Sequence, residues 1–104
     1  MIPSLIKIDD YLFYKIYRIG RYCSTGVVVL PPSEIKHYAN VKENTLVFYV
    51  VQGEIYVTVN HYTFMAAKAG HIVIPRSSTY QLANKMDSDA ILYFTHIVDP
   101  MWYQ

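Results

Sequence analysis

Cysteine is nearly absent: the chain of 104 residues holds one, Cys23. No intrachain disulfide can form, so a disulfide-stapled scaffold is excluded and a reducing compartment fits. A catalytic thiol would need a histidine or carboxylate beside it in space, and Cys23 is read as a structural side chain. Glycine is scarce, with four in all, so no glycine-rich phosphate cradle is expected. No apolar run reaches the roughly 18 residues of a membrane-spanning helix. The start, "MIPSLIKIDD", lacks the charged head and long apolar centre of a signal peptide. Strong charge of either sign is missing too. The formal net charge is +1, which provides no field to draw in nucleic acid or an anionic membrane. The nearest basic cluster, Lys15, Arg18 and Arg21, reads as solvated strand-edge charge. No segment sustains a 3.6-residue apolar period over about 11 residues, so helices are not expected.

What is present is apolar and rich in tyrosine. The hydrophobic fraction of 53% excludes a disordered tail. The length suits one domain with one core. Aromatics make up 15%, and 11 of them are Tyr, which combines contact area with a polar tip. Short β-forming runs follow one another: "YLFYKIYRI" (11–19), "GVVVL" (26–30), "LVFYVV" (46–51), "EIYVTVN" (54–60), "YTFMAAKAG" (62–70), "HIVIP" (71–75), "TYQLAN" (79–84) and "AILYFTHIV" (90–98). Pro31–Pro32 and Pro75 stop their strands. The stretch "PPSEIKHYANVKEN" (31–44) is polar and reads as a loop. Ser33–Glu34, Ser77–Ser78 and Asp87–Ser88–Asp89 are turn chemistry. Many short strands with close turns predict an all-β sandwich or barrel.

The run "LVFYVVQGEIYVTV" (46–59) reads as a β-hairpin about Gln52–Gly53, with Gly53 supplying a positive φ. On that pairing Tyr49 faces Tyr56, and alternation sorts two sides. Leu46, Phe48, Val50, Ile55, Val57 and Val59 form an apolar side that must be core. Val47, Tyr49, Val51, Glu54, Tyr56 and Thr58 form the other, with one charge among six. A strand pair apolar on both sides needs cover on both. The N-terminal segment, with Leu12, Tyr14 and Tyr17, could fold over it. A second copy of the chain covers it by using one patch twice, and this is the reading adopted. On the second choice Val47, Tyr49, Val51, Tyr56 and Thr58 are the expected dimer interface.

"LPP" (30–32), "TLVFYVVQGE" (45–54) and "IPRSSTYQLAN" (74–84) resemble the C-terminal cupin domain of the centromere protein C family. The likeness covers roughly 26–98. It implies a cupin-type jelly-roll barrel of about eight antiparallel strands that homodimerises. It also implies a place in the nucleus, at the chromosome's centromere and inner kinetochore, with other centromeric or kinetochore proteins as further partners. Residues 26–104 are then the jelly-roll domain and 1–25 an N-terminal extension or cap that can add a strand. The family's short nucleosome-binding motif is not found, so direct nucleic-acid binding is not expected.

Cupin enzymes hold a metal with two His and one Glu from a first motif and a His from a second. Laid on those motifs, Leu46 stands at the Glu position and Tyr80 at the second-motif His, while Asn84 is kept. The first-motif His positions fall at Val41 and Ala39, or at Lys42 and Asn40; His37 is near but off the pattern. The resemblance therefore implies no metal, no cofactor and no catalytic residue, with Leu46 and Tyr80 filling the barrel interior. The alternative is a small metal-dependent or ligand-binding cupin. His37, His61, His71 and His96 show no short metal-ligand spacing, although His71 and His96, both on predicted strands, could meet in space. No nucleophile elbow or paired-carboxylate pattern occurs.

Overall fold

The computed structural model describes residues 6–9, 12–19, 23–33, 35–40 and 44–98, with side chains described at 23–33, 35 and 44–97. Ten strands and no helix occur among them: β1 (Ile6–Asp9), β2 (Leu12–Ile19), β3 (Cys23–Leu30), β4 (Ile35–Asn40), β5 (Asn44–Gln52), β6 (Glu54–Val59), β7 (Tyr62–Ala67), β8 (His71–Ile74), β9 (Thr79–Ala83) and β10 (Ala90–Val98). They form a six-stranded sheet, β1-β2-β3-β10-β5-β8, and a four-stranded sheet, β4-β9-β6-β7. Every described pairing is antiparallel. After β3 the chain changes sheet at each connection except β6–β7, which wraps the two sheets into one sandwich.

Two expectations are corrected. The stretch 31–44 is not all loop: Ile35–Asn40 is an edge strand on β9. The run 46–59 is not a hairpin. β5 pairs with β10 and β8, whereas β6 pairs with β7 and β9 in the other sheet. Gly53 does carry a positive φ, 90°, but it turns the chain from one sheet to the other. A Cβ there would lie 3.2 Å from the Ala90 Cα and 3.2 Å from the Asp89 carbonyl oxygen, so the crossing passes tight under the start of β10. Only a residue without a side chain fits both demands.

The core follows the alternation. Leu46, Phe48 and Val50 from β5 and Ile55 and Val57 from β6 are all buried, facing one another across the sandwich rather than side by side in one sheet. Val28 and Leu30 from β3, Ile72 and Ile74 from β8, Leu82 from β9 and Leu92 from β10 complete it. Phe48 sits at the centre, with ring centroids 5.8 Å from Tyr80 and 6.4 Å from Phe94. Such tilted and edge-on contacts suit the aromatic quadrupole.

Ser78 and Asn84 are the buried polar residues among those described, and Asn84 is the more deeply placed. Its Nδ2 reaches the carbonyl oxygens of Leu30 at 2.9 Å, Pro31 at 3.2 Å and Ser88 at 2.8 Å. Its Oδ1 accepts from the Met86 backbone N–H at 3.0 Å. One amide thus ties the end of β3 to the β9–β10 loop. Residues 6–9 and 12–19 continue the six-stranded sheet, with Tyr14 and Tyr17 opposite Val28 and Thr25 along β3. These strands extend the sheet edge rather than folding over its face, and β3 itself begins at Cys23.

Candidate self-association surface

The six-stranded sheet has a second face, and over β3, β10, β5 and β8 it is nearly as apolar as the first, while register brings Lys15 of β2 opposite Val27 and Lys7 of β1 opposite Phe13 on the same side. Residues directly opposite in an antiparallel ladder share a side. Register therefore aligns Val27, Tyr93, Tyr49 and His71 in one outward row, and Thr25, Thr95, Val47 and Val73 in the next. Val29 and Ile91 lie beyond one end, and Cys23, Ile97 and Thr45 beyond the other. None of these outward positions is Asp, Glu, Lys or Arg. Four strands at about 4.8 Å spacing make a patch roughly 15 Å across.

Much of it meets solvent. Val73 is 57% exposed, Tyr93 49% and Tyr49 36%. The Tyr49 and His71 rings pack at 4.9 Å between centroids, tilted by 48°. Thr25 uses its hydroxyl at home, donating to the Phe94 carbonyl oxygen at 2.8 Å, so it adds little unmet polarity to the face. A contiguous uncharged sheet face of this kind is rare on a monomer in water.

The structure divides the residues expected to form one interface. Val47 and Tyr49 lie on this outer face. Val51 is the extra residue of a β-bulge, between Val50, which pairs with Leu92, and Gln52, which pairs with Ile91. Tyr56 and Thr58 lie on the outer face of the other sheet. There the Lys85 Nζ stands 4.7 Å above the Tyr56 ring, and the Thr58 and Thr63 hydroxyls meet at 2.9 Å. The five residues therefore cannot form one contact patch. Sequence reasoning missed Tyr93, Val73 and Ile97. The signal was present in "AILYFTHIV", which is apolar on both alternating sides as β5 is, but it needs the strand order to become a surface.

Leu46 and Tyr80 both point into the sandwich and are nearly fully buried. Burial pushes the Tyr80 phenol up to about 12, because the charged form would lose water. Among the described residues no group of three or more His, Cys, Asp and Glu stands close enough to hold a metal ion. His71 and His96 do not approach each other: His71 is outward, whereas His96 aligns with buried Leu46 on the inner side and packs on Phe94 at 5.6 Å. His61 lies in the β6–β7 turn, and the side chain of His37 lies outside the described residues.

Two antiparallel sheets wrapped in this order, with side chains filling the interior, define a cupin-type jelly roll. The cupin domain of Cnp3 from Schizosaccharomyces pombe superposes with a TM-score of 0.86 at 30% identity, over 93% of this chain and 72% of that one. The profile of the Mif2/CENP-C-like family matches residues 11–96, and the chain belongs to that family. It is 36% identical over 89 residues to the inner kinetochore subunit cnp3 of S. pombe, covering 86% of this chain and 14% of that protein. It is 28% identical over 97 residues to human centromere protein C, covering 86% of this chain and 10% of that protein. The chain thus spans a small fraction of the curated relatives' length.

Proposed function

We propose that this chain is the non-catalytic homodimerisation domain of a centromere protein C-like protein of the inner kinetochore, acting in the nucleus at the centromere. The observation that supports the pairing is the outer face of the six-stranded sheet, where the described outward positions of β3, β10, β5 and β8 carry no permanent charge. A two-fold axis lets that face cover itself. Val73, Tyr93 and Tyr49 are partly covered already, so pairing gains only the remainder of each, on the order of 1 kcal/mol per side chain. The rows together make the contact stable.

The consequence is one of effective concentration. Two long chains held together at this domain present their other contacts in pairs, and each second contact forms at raised local concentration. Recruitment of further kinetochore or loading partners fits the same role, because the four-stranded sheet stays outward in such a dimer. The test is the Tyr93→Glu, Val73→Glu double variant, which places two carboxylates on the face per subunit. Light scattering should report monomers that retain the β circular-dichroism spectrum. A folded double variant that still dimerises would place the contact elsewhere.

A further inference from the structure

His71 is the one histidine among the described outward positions of this face, and imidazole is the side chain type that responds to pH in the physiological range. It sits on β8, in the same row as Tyr49 and two residues from Val73, the most exposed of the large apolar side chains on the face. The groups around it are few. Tyr49 from β5 packs at a 48° tilt against the ring, and Lys68 stands exposed in the β7–β8 turn. No carboxylate is found among the described outward positions of β3, β10, β5 and β8 to stabilise an imidazolium there.

We propose that His71 makes the self-association of this face pH-dependent, so that the pair holds with a neutral imidazole and loosens as the ring takes up a proton. This rests on the dimer reading. In the free subunit the exposed ring is open to water, which solvates a cation, and packs at a tilt against the Tyr49 ring. In the pair the same ring enters an uncharged contact that offers no counter-ion, and desolvation opposes the cation. Protonation is therefore easier in the free subunit. Linkage then fixes the sign: stability of the pair is present above the imidazole range and lost as pH falls through it. A two-fold contact contains two copies of His71, which steepens the dependence.

The experiment measures the association constant of the 104-residue chain by sedimentation at pH 8.0 and pH 5.5, for the wild type, His71→Gln and His61→Gln. His61 lies in the β6–β7 turn of the other sheet and serves as the control. The wild type and His61→Gln should lose about tenfold or more in association between the two pH values, and His71→Gln should lose little. Circular dichroism at both pH values separates dissociation from unfolding. A wild-type pair equally tight at pH 5.5, or an equal loss in His71→Gln, overturns this inference and leaves the dimer standing. A monomer at pH 8.0 overturns the dimer reading and this inference together.

Discussion

Tyr49 and Tyr56 look out from opposite sides of the sandwich: Tyr49 stands on the six-stranded sheet beside Tyr93, and Tyr56 stands on the four-stranded sheet beneath Lys85. Seven residues apart in sequence, they cannot share an interface. Tyr49→Glu is expected to weaken self-association on the order of tenfold, because it brings a carboxylate into a largely apolar contact that takes it out of water. Tyr56→Glu should leave the association constant within about twofold. Sedimentation of the two single variants checks this. The reverse order of effects would assign the contact to the other sheet.

The crossing at Gly53 predicts a stability effect with no functional side chain involved. Gly53→Ala must place a Cβ at positive φ and against the Ala90 Cα and the Asp89 carbonyl, both 3.2 Å away. The cost should be about 1–3 kcal/mol from backbone strain and contact together. Urea denaturation would show a lower midpoint with an unchanged slope.

Asn84 predicts a second one. In Asn84→Ala the Leu30 and Ser88 carbonyl oxygens lose a donor at 2.9 Å and 2.8 Å. An uncompensated buried acceptor costs about 1–3 kcal/mol, so the variant should be destabilised by roughly 2–3 kcal/mol. Asn84→Asp, which has the same shape but no N–H, should be at least as damaging. A thermal midpoint unchanged in both variants would deny Asn84 its part in tying the β3 end to the β9–β10 loop.

Tyr80 gives a pH dependence at the alkaline end. Its folded value of about 12 exceeds the ordinary 10.0 because burial disfavours the phenolate. A raised value means stability that is complete below pH 10 and drains away as pH climbs from 10 towards 12. The size is about 2–3 kcal/mol over that window. Tyr80→Phe lacks the titrating group, so its stability should fall less between pH 9.5 and 11.5 than that of the wild type. Parallel curves for the two proteins would show that Tyr80 does not titrate from a buried site.

The sequence carries the local facts of this fold well and the non-local ones poorly. Alternation alone sends Leu46, Phe48 and Val50 inward, and Ile55 and Val57 with them, and all five are core. It also marks Gly53 as the residue with positive φ. It does not say whether the strands on either side of Gly53 pair or part. What parts them is the approach of Asp89 and Ala90, some 36 residues later in the chain, to Gly53. β4 was hidden for another reason. Ile35–Asn40 is an edge strand, so it needs no apolar run on both sides and keeps a loop-like composition. The outer face was only half legible. Val47 and Tyr49 could be named from β5, but Tyr93 and Val73 join them only once β10 and β8 are known to flank it. The interior at Leu46 and Tyr80 was legible because the family motifs fix which positions point inward.

On this reading the part of the outer face formed by β3, β10, β5 and β8, which carries no permanent charge, is covered by a second copy of the chain. Sedimentation equilibrium of the wild-type chain at pH 8 over a concentration series tests it most directly. A dimer gives a molar mass that rises to a plateau at twice the 12.1 kDa of one chain. A mass that stays at 12.1 kDa across the series would contradict it.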